Sequence, residues 1–145
     1  MRNFGNEARV TRIMGAVAAG FGDTQTSAII DMAGYEAVTF IVLMGAIAAG
    51  GSANITVNQG NDPALADTAV VEGAAVTFTD ADDGLAALID IRQPTDRYLE
   101  VDIARAVANV AIDGVLAAQY RVRDLPVTQD ATVLDTVVLV SPPEV

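Results

Sequence analysis

The chain has 145 residues, of which 52% are apolar, enough for one domain with a sizeable core. Nineteen acidic and eight basic residues give a net charge of −11, which repels nucleic acid and disfavours an anionic membrane surface. With no cysteine and no histidine, disulfides, thiolate metal sites and histidine-based acid–base or triad chemistry are excluded.

Met1 to Asn6 is polar with one aromatic, Phe4, and reads as a mobile arm. Arg9 to Gly22 places arginines before Ile13-Met14-Gly15-Ala16-Val17-Ala18-Ala19, the order of a signal peptide's charged and apolar regions. The apolar run is short and poor in leucine, so we read it as part of a lead-in spanning residues 1–25. Gly20, Gly22 and Asp23 mark a turn. Thr26 to Met32 reads as a strand with Ala28, Ile30 and Met32 on one side, and Ala33-Gly34 as a tight turn.

Tyr35 to Gln59 is the stretch around which the core is expected. Ala37 to Met44 is crowded with β-branched and aromatic residues, and predicts a strand. Val38, Phe40, Val42 and Met44 face one way, and Thr39, Ile41 and Leu43 the other. Both faces are mostly apolar, which predicts a central strand covered on both sides. Burying Phe40 alone contributes about 1.5–3 kcal/mol. Ala53 to Gln59 alternates, with Ile55 and Val57 inward, and is expected to pair with the first strand as a hairpin. The uncharged run from Ala37 to Ala49 is shorter than the ~20 residues that cross a bilayer.

Asp62 is placed to cap a short helix with Pro63 at its first position. Strands are then expected over Ala74–Thr79, with Val76 and Phe78 inward, and over Leu85–Ile91. The next is Leu99–Ile103, where Glu100 and Asp102 alternate with Leu99, Val101 and Ile103. In Val110 to Arg123, Ile112, Leu116, Tyr120 and Val122 are expected on one face, with Asp113, Gln119, Arg121 and Arg123 on the other. Thr132 to Val140 reads as the last strand, ended by Ser141-Pro142-Pro143. The fold class is therefore all-β: an antiparallel, jelly-roll-like sandwich of about eight strands over residues 26–145.

Few residues carry chemistry. Asp80, Asp82 and Asp83 offer oxygen ligands to calcium, but the glutamate position of an EF-hand is Ile91, and an acidic turn accounts for the same residues. Asn54-Ile55-Thr56 matches the glycosylation pattern and reads as the polar face of a strand. No histidine activates Ser27, Ser52 or Ser141, and the lysine of a phosphate loop is missing because every basic residue is arginine. Arginine is the preferred cation of interface ion pairs, so Arg12, Arg121 and Arg123 are candidates for contacts with another chain, with solvated surface charge as the alternative.

The run Thr26-Ser27-Ala28-Ile29-Ile30-Asp31-Met32-Ala33-Gly34-Tyr35-Glu36-Ala37-Val38-Thr39-Phe40 resembles a segment of tailed-phage structural proteins encoded near the major capsid protein. Arg92-Gln93-Pro94-Thr95-Asp96-Arg97-Tyr98, Ala111-Ile112-Asp113-Gly114, Pro126-Val127-Thr128-Gln129-Asp130 and Val140-Ser141-Pro142-Pro143 fit the same pattern. The chain is thus similar to capsid decoration, or cement, proteins such as those of short-tailed cyanophages. The resemblance implies a non-enzymatic homotrimer on the outer surface of the virion, bound to the major capsid protein, with no cofactor, nucleic acid or membrane partner. The arm with Arg2, Phe4, Arg9 and Arg12, and the pair Arg121 and Arg123, are then expected at the capsid or subunit interface. The alternative is a carbohydrate- or host-binding sandwich module on a virion surface. A calcium-dependent or carboxylate enzyme is the third reading.

Overall fold

The computed structural model describes residues 3–123 and 125–140. Arg2 and the closing Ser141-Pro142-Pro143 lie outside them. Two antiparallel sheets pack face to face. The elements in chain order are α1 (Phe4–Glu7), β1 (Arg9–Met14), β2 (Val17–Gly20), β3 (Asp23–Thr26), β4 (Ile30–Asp31), β5 (Tyr35–Ile47) and β6 (Ser52–Gly60). β7 (Ala69–Val70), β8 (Val76–Thr79), β9 (Ala86–Arg92), β10 (Tyr98–Ala106) and β11 (Val110–Val122) follow.

The first sheet runs β1-β11-β5-β9, with β2 also on β11. The second runs β3-β10-β6-β7, with β4 on β10 and β8 on β6. Counting β1 with β2, β3 with β4, and β7 with β8 as single broken strands, the order is 1-8-3-6 and 2-7-4-5. That is a jelly roll, two interleaved Greek keys. Residues expected as a lead-in supply β1, β2 and β3, so both sheets include them.

The expected hairpin of the central stretch does not form: β5 lies in one sheet and β6 in the other. The physical reason is burial. Val38, Phe40, Val42 and Met44 of β5 and Ile55 and Val57 of β6 are all at most 1% exposed. Side by side, both rows would still need a cover, whereas in facing sheets each covers the other. Leu99, Val101 and Ile103 of β10 and Val110, Ile112, Val115 and Ala117 of β11 complete the core.

Other expectations shift locally. The strand foreseen over Thr26–Met32 breaks at Ser27, whose hydroxyl accepts the Val101 N–H at 2.9 Å, while the Ala28 N–H reaches Ile13 of the opposite sheet at 2.8 Å. Asp62 caps one turn, accepting the Ala66 N–H at 3.0 Å, and no helix continues from it. The segment from Thr132 to Val140 joins no ladder. Residues 127–132 instead run along the free edge of β1. There Gln129 Oε1 accepts the Val10 N–H at 2.8 Å and Thr132 Oγ1 accepts the Arg12 N–H at 2.9 Å. The N-terminal arm is tied to the same segment, because Gln129 Nε2 donates to the Gly5 and Ala8 carbonyls at 3.0 and 2.7 Å.

Candidate functional site: the outer face of the first sheet

The register places unlike residues on the outer faces of the two sheets. On the second sheet, Asn54, Thr56 and Asn58 of β6 stand beside Glu100 and Asp102 of β10 and Thr26 of β3. Asn58 donates to Asp102 at 2.6 Å, and Thr26 donates to the same carboxylate at 2.7 Å. Burial, with the neighbouring Asp102 charge, raises the pKa of Glu100 above the ordinary carboxylate range, against the lowering effect of its Asn58 hydrogen bond. This face is polar and anionic.

The outer face of the first sheet is apolar. Its cross-strand rows follow from pairing: Arg12, Leu116, Ile41 and Leu88 form one, and Val10, Ala118, Thr39 and Asp90 the next. The expectation that β5 is covered on both sides is therefore wrong on this side. Leu43 and Leu88 are exposed, and nothing among the described residues lies over the sheet's centre beyond the wall formed by α1 and Leu125. Phe4, Ile41, Leu88, Ala118, Val122 and Leu125 line a groove of about 550 Å³ here. At its floor the Tyr120 hydroxyl donates to Asp90, which also accepts from Thr39 at 3.0 Å. The bond to Asp90, with burial and the carboxylate charge, raises the Tyr120 pKa and keeps the phenol protonated.

A bulge in β11 creates this face. The register slips between Ile112 and Gly114, so Val115 and Ala117 turn into the core while Leu116, Ala118 and Tyr120 turn out. Gly114 has φ +154°, and a Cβ there would lie 3.2 Å from the Met14 carbonyl. Gln119, expected on a polar outer face, points inward. It is 3% exposed and donates to the Asp31 carbonyl at 2.8 Å. The signal for this inversion was Gly114 itself, since a glycine within a strand commonly marks a bulge.

The expected interface residues are distributed unequally. Phe4 forms one wall of the groove and Arg121 lines one end of it, 3.7 Å from Glu36. The Arg12 guanidinium lies against Gly114 on the same face. Arg9 turns to the sheet edge and pairs with Asp130 at 3.0 Å. Arg123 lies past the end of β11, where its N–H donates to the Gly34 carbonyl, so it does not share a strand face with Arg121. Asp80 accepts the Gly50 N–H at 2.8 Å, tying the connection between β5 and β6 to this turn, and Asp82 accepts the Thr79 N–H at 2.9 Å within it. Among the described residues no cluster of three His, Cys, Asp or Glu could hold a metal, and no helix is long and apolar enough to cross a membrane.

No protein-family model matches the chain, and no curated protein matches it by sequence. Among solved structures the fold is similar to that of the PBSX exported protein XepA. The TM-score is 0.57 at 11% identity, over 97% of this chain and 46% of that one. The chain therefore spans about half the length of XepA. A chain of infectious bursal disease virus, Gt strain, aligns over 78% of this chain and 32% of its own, with TM-score 0.44 and 15% identity. At 11% identity the likeness to XepA is one of fold.

Proposed function

We propose that the protein is a structural virion protein that binds the outside of an icosahedral phage head as a trimer, grips the major capsid protein and reinforces the shell. The observation that carries this reading is the outer face of the first sheet. It is an apolar groove on a stiff sandwich, opposite a face that is polar and anionic. Such an exposed apolar patch with a polar surround is the usual mark of a protein contact. The fold shared with a phage exported protein supports the same direction.

The role follows from elementary binding physics. A protein that prefers the assembled lattice to loose subunits stabilises assembly by mass action. Three linked copies of one groove multiply a weak contact into a durable one. Each apolar side chain covered on docking contributes up to about 1.5–3 kcal/mol.

The test mixes purified protein with undecorated heads and images them. Deleting residues 1–12 would remove most of β1, so substitutions are cleaner. Phe4→Asp combined with Leu125→Asp, both at exposed positions in the groove wall, should reduce head binding by at least about tenfold, because two charges cannot be buried unpaired. The thermal unfolding midpoint should stay within a few degrees. Head binding equal to that of the parent chain would reject the reading.

A further inference from the structure

The two long edges of the first sheet are treated differently. Beside β1 the chain's own residues 127–132 satisfy the outward N–H groups of Val10 and Arg12. Beside β9, which is seven residues long, the described residues supply no further strand. The Gln93 N–H bonds Glu36 and the Met44 N–H bonds Leu85, so the alternation of the ladder commits Ala87, Ile89 and Ile91 to β5. Ala86, Leu88, Asp90 and Arg92 then direct their N–H and C=O groups to the open side. The second sheet ends in strands of only two to four residues, which blunts its edges. β9 is the long open edge among the described residues, and it carries neither proline nor lysine to guard it.

The chain also contains a segment of strand-like composition that belongs to no sheet. Residues 133–140 are rich in valine and leucine, yet join no ladder. Leu134, Val137, Leu139 and Val140 are 103, 75, 60 and 84% exposed. Their own β9 is not the natural partner. The segment is anchored on the β1 side through Thr132 and Asn3, the latter donating to the Leu139 carbonyl at 2.9 Å. β9 lies three strand spacings away across the sheet, about 14 Å.

We propose that residues 133–140 of one copy add as a strand to the β9 edge of a second copy. Length agrees, eight residues against seven. Charge agrees as well: Asp135 is the one charged residue of the segment. Arg92 at the end of β9 takes no part in the four ion pairs among the described residues, which use Arg9, Arg97, Arg105 and Arg121. A cleft of about 460 Å³ runs beside Leu88 to Arg92, bounded on its other side by residues 71–76. Such a junction joins unlike surfaces, head to tail, and a closed ring of them is a cyclic oligomer. It uses the sheet edge and leaves the outer groove free, so it stands or falls independently of what that groove binds.

The test is complementation, read by sedimentation. Val137→Pro breaks the donor segment and Leu88→Pro removes an edge N–H that β5 does not use. The parent chain should sediment well above the single-chain mass of 15.0 kDa, and each variant at that mass. An equimolar mixture of the two should reach twice that mass, because one intact junction remains between the unlike copies. A parent that sediments as a single chain, a variant that keeps the parental mass, or a mixture that stays monomeric would overturn the proposal. Val137 lies in the exposed segment, so its variant decides the matter even if Leu88→Pro does not fold.

Discussion

The Arg105 guanidinium is 5% exposed, and four elements meet on it. Its Nε donates to Asp23 of β3 at 2.7 Å, and its Nη1 donates to the carbonyls of Ala18 in β2 and Val110 in β11 at 2.8 and 2.9 Å. Gly20 leaves room for it, since a Cβ there would meet the guanidinium at 2.9 Å. Arg105→Met should cost about 2–4 kcal/mol in chemical denaturation, because two inward carbonyls lose their donor while Asp23, itself partly exposed, rehydrates. The Arg105 hydrogen bonds hold the Asp23 pKa below the ordinary carboxylate range. A lowered folded value means stability that is present above the ordinary value and is lost as pH falls through the folded one. Parent and Asp23→Asn should therefore differ most near neutrality and converge on acidification below about pH 4. A gap that stays constant with pH would show that the pair's charge contributes nothing.

At the scale of elements, legibility followed the simplicity of the pattern. β10 was plain, because strict alternation of Leu99, Val101 and Ile103 with acids admits one wet face and one dry face. β11 was misread because alternation was extended through Gly114, and one slipped residue exchanges the two faces. That error hid the groove, whose floor includes Thr39, Ile41, Ala118 and Tyr120. The β5–β6 hairpin was misread because local sequence does not state whether two apolar rows lie side by side or face each other. The expected last strand was misread for a third reason: strand composition needs a partner edge, and the edge beside it is already covered by side chains. Gln129→Ala tests that cover. It removes three hydrogen bonds, to Val10, Gly5 and Ala8, and should cost about 1–3 kcal/mol. Amide exchange at Val10 and Arg12 should accelerate, while exchange in β10 at sub-denaturing conditions should be little changed.

For the molecule as a whole, a charge of −11 on 145 residues sets the response to salt. The exposed ion pairs, such as Arg97 with Asp31, contribute little and are screened. Repulsion among the surplus carboxylates is larger and is screened too. Raising the salt from low ionic strength to about 0.5 M should raise the unfolding midpoint by about 2–4 °C, equivalent to about 1 kcal/mol. A fall in the midpoint would mean that the local pairs outweigh the collective repulsion.

The jelly-roll order has one more consequence. β11 is the last strand of the first sheet to be synthesised, yet it sits between β1, the first, and β5. While the ribosome is still making residues 110–122, the apolar side chains of β5 have left the exit tunnel without their main neighbour. The first sheet closes only after residue 122 has been made. Production of this protein in a cell should therefore depend on chaperone capacity during translation far more than the stability of the finished sandwich suggests.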